Sequence, residues 1–299
     1  MSKNIFAVDI GGSKLICGAL TDKGEILSTY RVDYPLDYTI DDLFGWISDG
    51  FNHLREYSFS HCGVAIPGLC DARSGIWLYS PFSGINNVPV AKRISELTNL
   101  PTYTDNDVNV SALAERQFGC CKETEDFLWI TVSNGIGGGL YLNGKLYRGP
   151  FMSAGEIGHI TVEEQTERRC GCGKRGCLET MASGASISAI YKERTKKSLS
   201  AKEIASLARQ NDPDALLVWK EAGYYIGKAV SYAVNLLGID TIVLGGGAAS
   251  GFDLLCETAE SAINEYTFSA AVPTKVKLLH SNLGAFAALI GCAALGEVE

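Results

Sequence analysis

Short unbroken apolar runs dominate the first thirty positions. IFAVDI (5–10) and LICGAL (15–20) read as buried strands joined by the glycine turn GGSK. The tight turn TDKGE leads into ILSTYRV (26–32), which completes an antiparallel three-stranded meander. The period then changes: in TIDDLFGWISDGFNHLREY, Leu43, Ile47, Phe51 and Leu54 recur at helical spacing. GVAIPG (63–68) is a short apolar strand ended by Pro-Gly, and PTYTDND (101–107) runs into a helix over VNVSALAERQFG. The plan then starts again. FLWITVS (127–133) predicts a strand, NGIGGG a glycine turn, and LYLNGKLYRG a second strand with a hairpin. A long helix over roughly 213–237 precedes TIVLGGG (241–247), a strand closing on three glycines. The strand, glycine turn, strand opening therefore occurs twice, near 5–20 and 127–142, with no low-complexity linker between the halves. Two α/β halves on one plan, with a cleft between them, is the simplest architecture.

Composition narrows the classes of function. The 299 residues are 46% hydrophobic and 20% charged, ordinary for a soluble chain that buries a full core. The net charge is −8 with no basic block, so a phosphate backbone or an anionic membrane surface would meet repulsion. The N-terminus shows no signal peptide, and no apolar stretch reaches the roughly 18 residues of a membrane span, which together predict a cytoplasmic protein. Ten cysteines in such a chain point to metal or free thiols rather than disulfides. Those in apolar contexts, such as Cys17 and Cys292, read as small buried hydrophobes.

Three glycine-rich turns follow strands. DIGGSK (9–14) suits phosphate cradling by backbone N–H groups, with Asp9 at a strand end suited to Mg²⁺, directly or through water. A plain hairpin with a solvated Asp and Lys accounts for it equally well. SNGIGGGL (133–140) carries four glycines in five positions, more than turn chemistry needs. LGGGAASG (244–251) ends a strand and opens a helix whose N-terminus and small residues suit a nucleotide. None is a P-loop or a dinucleotide fingerprint. Together they point to a nucleotide across a cleft.

TDND (104–107) sits at a strand-to-helix junction, where Asn and Asp serve as caps. The same place suits a carboxylate beside an acceptor hydroxyl, as phosphoryl transfer requires. Farther on, CGCGKRGCLE (170–179) supplies three thiols, and His159 in GEIGHITV lies 11 residues before Cys170. His159, Cys170, Cys172 and Cys177 would make a Cys₃His zinc site, with Glu156 held beside the metal. A metal-free thiol cluster is the alternative; C-x-C is too tight for an easy disulfide.

DIGGSK, AIPG (65–68), TDND, SNGIGGG, GEIGH, CGCGKRGCLE and LGGG, in that order and almost end to end, resemble the ROK family of sugar kinases and repressors among the actin/hexokinase-like ATPases. The cysteine run matches the family pattern C-x-C-G-x-x-G-C-x-E throughout. The resemblance implies two actin/ribonuclease-H-like α/β domains with an ATP and sugar cleft between them. Residues 1–115 would form the first and 116–284 the second, which carries the zinc motif, and a helix over about 285–299 would pack back on the first. It implies a γ-phosphate transfer from ATP to a hydroxyl of a hexose or N-acylhexosamine, with Asp107 as general base. Asn106, Glu156, His159 and Glu179 would bind the sugar, His159 using one ring nitrogen for zinc and the other for the sugar. Asp9, Gly11, Gly12, Lys14, Gly135, Gly137 and Gly138 would surround the phosphates and Mg²⁺, with Gly245 and Gly246 near the adenosine. A homodimer is implied by the resemblance alone.

Two departures bear on the substrate. Many family glucokinases carry P-N-L-x-G-W ahead of TDND, whereas SPFSGINNVPV (80–90) places Phe82 and Ile85 where that Asn and Trp would stand, in a loop one residue shorter. Glucose therefore does not follow, and fructose, allose or a β-glucoside are alternatives. Asn134 replaces the usual Thr in the second turn. Family repressors carry a winged helix-turn-helix ahead of DxGG. With Asp9 so early and the chain acidic, DNA binding is not expected. A sugar-binding sensor without turnover is the alternative from another class. An acetate-kinase-like activity fits the Glu156, His159 and Glu179 trio less well.

Overall fold

A computed structural model describes residues 4–35, 37–80, 84–268, 270 and 275–296. The chain forms two compact units. One comprises Met1–Glu123, Arg148–Ala154 and Phe286–Glu299; the other comprises Thr124–Tyr147 and Gly155–Ala285.

In the first unit β1 (Asn4–Ile10), β2 (Lys14–Leu20) and β3 (Ile26–Asp33) form the expected meander. α1 (Ile40–His53) begins at a reciprocal capping box, in which Thr39 and Asp42 each accept the other's backbone N–H. β4 (Phe59–Ile66) returns parallel to β1. A small sheet of β5 (Leu69–Asp71), β6 (Ile76–Tyr79) and β7 (Asn86–Val88) follows, then α2 (Val90–Thr98). β8 (Thr102–Asn106) lies parallel to β4 and passes directly into α3 (Asp107–Gln117). The main sheet runs β3-β2-β1-β4-β8. Its inner strands are covered on both faces, which is why β1 and β2 read as continuous apolar runs. Phe6, Val8, Leu15, Ile47 and Trp77 share one core. Of the altered loop, Phe82 lies outside the described residues, and Ile85 packs against this core. The short helix Ala287–Gly291 belongs to the same unit.

The second unit repeats the plan. β9 (Phe127–Val132), β10 (Ile136–Leu142) and β11 (Lys145–Tyr147) are antiparallel. Helices α4 (Leu178–Ala182), α5 (Gly184–Thr195) and α6 (Ala201–Arg209) precede α7 (Pro213–Leu237). α7 starts on an Asp212 cap with proline in its first turn and stops at left-handed Gly238. β12 (Thr241–Gly245) is parallel to β9; α8 (Phe252–Tyr266) and β13 (Lys277–His280) complete the unit. The sheet order is β11-β10-β9-β12-β13, the same connectivity as in the first unit. Among the described residues no helix is long and apolar enough to cross a membrane.

The glycine run of SNGIGGG differs from expectation. Only Ser133–Gly135 makes the turn, closed by the Ser133 N–H donating to Gly135 O at 2.9 Å, whereas Gly137, Gly138 and Gly139 lie inside β10. The cause is a backbone crossing: a Cβ on Gly138 would sit 2.6 Å from Gly155 O, and one on Gly158 would sit 2.0 Å from Ile136 O. Only glycine lets the GEIGH segment lie this close on β10.

Candidate functional site

In the first unit, the C-terminal ends of β1, β4 and β8 lie side by side, with Asp9 level with Ala65 and Ala65 level with Asp105. The turn after β1 is closed by Gly11 N–H donating to Lys14 O at 2.8 Å, and the Tyr34 hydroxyl donates to Gly11 O at 2.6 Å. Gly12 follows in this turn, and Lys14 opens β2. Burial pushes the Asp9 carboxyl up to about 6, against the pull of the Lys14 charge.

Asp107 is the first residue of α3. Burial first, and the Asp9 charge second, push its carboxyl up to about 7, while N–H donation from Val108 and from the Asn106 amide opposes them. The Asn106 side chain is fully engaged. Its oxygen accepts from the N–H groups of Val108 (2.9 Å) and Asn109 (3.2 Å). Its nitrogen donates to Gly68 O (2.8 Å) and to Asp107 Oδ1 (3.0 Å). An amide offers two donors and two lone pairs, so none is spare. Capping, the bland expectation for TDND, is therefore real, and it also orients the neighbouring carboxylate.

One residue along, Asp105 carries a feature that motif reading did not single out. Only 1% of its side chain is exposed, and Oδ2 accepts from Arg148 Nε at 2.7 Å. Its Oδ1 accepts from Asn106 N–H at 2.7 Å and Asn109 Nδ2 at 3.0 Å. Position 105 falls within the TDND motif; Arg148, 43 residues on, gave no signal at all.

In the second unit, His159 ends a single 3₁₀ turn (Ile157–His159), and Cys177 is the cap of α4. One donor atom from each of His159, Cys170, Cys172 and Cys177 lies within 4.8 Å of all the others. Cys170 Sγ is 3.4 Å from His159 Nδ1, and Cys172 Sγ is 3.6 Å from Cys177 Sγ. A tetrahedron with Zn–S bonds of about 2.3 Å has edges of about 3.8 Å, so the four atoms fit a zinc ion. Cys170, Cys172 and Cys177 are free thiols. Because Nδ1 faces the thiols, Nε2 is turned away, 3.8 Å from Glu156 Oε2. Burial raises the Glu156 carboxyl, the His159 charge lowers it, and Glu179 raises it further.

Glu179, in the first turn of α4, accepts from Ile136 N–H through Oε2 at 3.0 Å, and its Oε1 lies 4.0 Å from Cys170 Sγ. A Cβ on Gly135 would sit 2.4 Å from that Oε2. The glycine turn after β9 and the cysteine motif thus meet through one carboxylate. At the end of β12, a Cβ on Gly245 would strike the Trp129 ring at 1.9 Å, and Gly246 adopts a φ of +90°.

The profile of the ROK family matches residues 5–298. A glucokinase from Halalkalibacterium halodurans is 32% identical over 280 residues, covering 87% of this chain and 84% of that protein. A xylose repressor from Bacillus subtilis is 29% identical, covering 96% of this chain and 75% of its own. The structure of a ROK glucokinase from Streptomyces griseus, in complex with glucose and AMPPNP, superposes with a TM-score of 0.87 at 27% identity over 97% of this chain and 98% of that one. The matched profile, this relative and the doubled β-sheet plan agree, and the chain belongs to the ROK family.

Proposed function

We propose that the protein is an ATP-dependent sugar kinase, moving the γ-phosphoryl group to a hydroxyl of a hexose or N-acylhexosamine. The observation that carries this reading is Asp107, a carboxylate lifted to about 7 and aimed by an amide with no other free capacity. A general base works best when its proton affinity lies near the operating pH. Asp107 takes the proton of the acceptor hydroxyl as its oxygen bonds to the γ-phosphorus and ADP leaves. In the free protein Asn106 orients Asp107; binding sugar would require it to exchange one of these bonds.

His159 Nε2, Glu156 and Glu179 present an N–H or acceptor pair suited to adjacent sugar hydroxyls. The zinc ion, bound by His159, Cys170, Cys172 and Cys177, would fix the His159 tautomer and hold Glu179 at the start of α4. Asp9 offers the oxygen ligand that Mg²⁺ prefers, and that ion would neutralise charge on the phosphates. The N–H groups of the turns at Gly11–Gly12 and at Gly135, with Gly137 and Gly138 beyond it, are proposed to serve the phosphates with Lys14, and Gly245–Gly246 the adenosine. The AMPPNP and glucose bound by the Streptomyces griseus relative support ATP and sugar as ligands.

A sensor that binds sugar without turnover is the second reading, favoured by the xylose repressor relative. Incubation with ATP, Mg²⁺ and a panel of hexoses and N-acylhexosamines, with ADP and sugar phosphate measured, separates the two. The kinase reading expects transfer to at least one sugar and a kcat for Asp107→Asn lower by about 10²–10⁴-fold. Tight sugar binding by a wild type that phosphorylates nothing refutes it.

A further inference from the structure

Among the described residues, the Asp105–Arg148 pair is the ion pair with a carboxylate sealed from water. Of ten ion pairs among the described residues, eight have an acidic partner at least 39% exposed; here the acid is 1% exposed and the arginine side chain 31%. Such a pair is a poor device for stability, because desolvation offsets the attraction and a packed apolar pair would serve as well. Its geometry has a different use. One carboxylate oxygen holds Arg148, and the other receives the Asn106 N–H at 2.7 Å and the Asn109 amide at 3.0 Å. Asp105 therefore fixes the peptide leading into Asn106 from β8 and a side chain of the first turn of α3. Asn106 in turn donates to Asp107. The chain of contacts runs Arg148, Asp105, Asn106, Asp107, each link a hydrogen bond within the first unit.

Arg148 is placed for this by its own loop. The chain leaves β11 at Tyr147, and Ala154 N–H donates back to Arg148 O at 3.1 Å, closing Arg148–Ala154 into a compact excursion. Left-handed Gly149 (φ +69°) and Met152 (φ +57°) bend it. The next residues are Gly155 and Glu156, so the segment that supplies Arg148 runs straight into the proposed sugar-binding run.

We infer that Arg148 is a positioning residue for Asp107, acting through Asp105 on the peptide leading into Asn106 and through the Asn106 side chain on Asp107, so that its loss lowers turnover rather than substrate binding. The inference rests on the kinase reading above. A misplacement of about 1 Å in a reacting group costs on the order of 10²-fold.

The test is steady-state kinetics of Arg148→Met, Arg148→Lys and the double variant Asp105→Asn/Arg148→Met, in the full chain. Arg148→Met should lower kcat by about 10–100-fold while KM for sugar and ATP changes less than about threefold. Arg148→Lys should recover part of the loss, and guanidinium ion should raise kcat of Arg148→Met. Asp105→Asn/Arg148→Met carries no unpaired buried charge, so it stays interpretable where Arg148→Met fails to fold. Asp105→Asn alone should match the double variant within about threefold, because partners that act as one unit are not additive. Unchanged kcat with a lowered melting temperature, KM effects without kcat effects, or failure of both variants to fold makes the pair a structural element and overturns the inference. A wild type that transfers to no sugar overturns the kinase reading instead.

Discussion

Replacing Asp107 by Asn should make the protein less active and more stable at the same time, with a pH signature that separates the two effects. The folded carboxyl ionises near 7, against an ordinary value of 3.8. Between those values the folded chain holds a proton that the unfolded chain has released, so raising the pH through this window removes stability. Above about 7 both states are ionised and the loss is complete. Asn has no proton to lose, so its advantage over Asp grows through the same window. From pH 5 to about 7 is two units at about 1.36 kcal/mol each, a growth of roughly 2–3 kcal/mol. Part of the rise in Asp107 comes from the Asp9 charge, itself ionising near 6, so most of the change should fall on the alkaline side of that value.

Urea unfolding of wild type and Asp107→Asn at several pH values between 5 and 8 measures this directly, provided both show one transition with equal slopes. The asparagine keeps the size of the side chain, and its Oδ1 can go on accepting from Val108 N–H and Asn106 while the amide nitrogen takes the place of the other carboxylate oxygen. Any offset independent of pH shifts the whole curve, and only the pH-dependent part tests the reasoning. In the same series, wild-type kcat/KM should climb with pH through an apparent value near 7. Parallel stability curves for the two proteins would show that Asp107 ionises normally and would remove the main support for its role as base.

Cys172→Ser removes the exposed thiol of the proposed zinc set; elemental analysis should find roughly one zinc per chain in purified wild type and none in the variant. Losing a ligand should cost at least the 10–100-fold in metal affinity that losing an outer partner costs. Sugar KM should then rise while KM for ATP changes little, and normal sugar affinity without zinc would end this account of the cluster. Gly138→Ala puts a methyl 2.6 Å from Gly155 O and 3.0 Å from Ile157 Cγ2, so the GEIGH segment must shift. A destabilisation of about 1–3 kcal/mol and a raised sugar KM are expected, measured by thermal unfolding and initial rates; unchanged values would mean that the crossing is loose.

Much of the fold was legible because its signals are local. β1, β2, β9 and α7 announce themselves by unbroken apolar runs, glycine turns, an Asp-Pro start and a glycine stop, and all depend on residues a few positions apart. The small sheet β5–β7 left no comparable mark: its strands have three or four residues each, and short polar pieces such as Asn86–Val88 pair only because the chain around them is already in place. The run at 137–139 was misplaced for a related reason. Glycines signal a turn when the requirement is torsional, but at Gly138 the requirement is another backbone 17 residues away, and sequence proximity carries no trace of it.

The candidate site divides along the same line. The identities of Asp107, His159 and the three cysteines stood out as residue types at telling spacings, yet what each side chain is free to do depended on partners far along the chain. Asn106 looked like a sugar ligand or a cap, and its four hydrogen bonds show that it caps while also steering Asp107. Glu179 looked like the tail of a metal motif, and its Oε2 turns out to be held by Ile136 N–H, beside a glycine that would collide with it if it carried a Cβ. That contact ties two motifs 43 residues apart into one piece of structure. Movement of the Cys170–Cys177 loop must then be felt at the turn after β9, because the carboxylate that follows the last cysteine is the group that turn holds. The histidine and cysteine cluster is thereby more than a local staple: its rigidity reaches the glycine turn through Glu179, a route that no single motif contains.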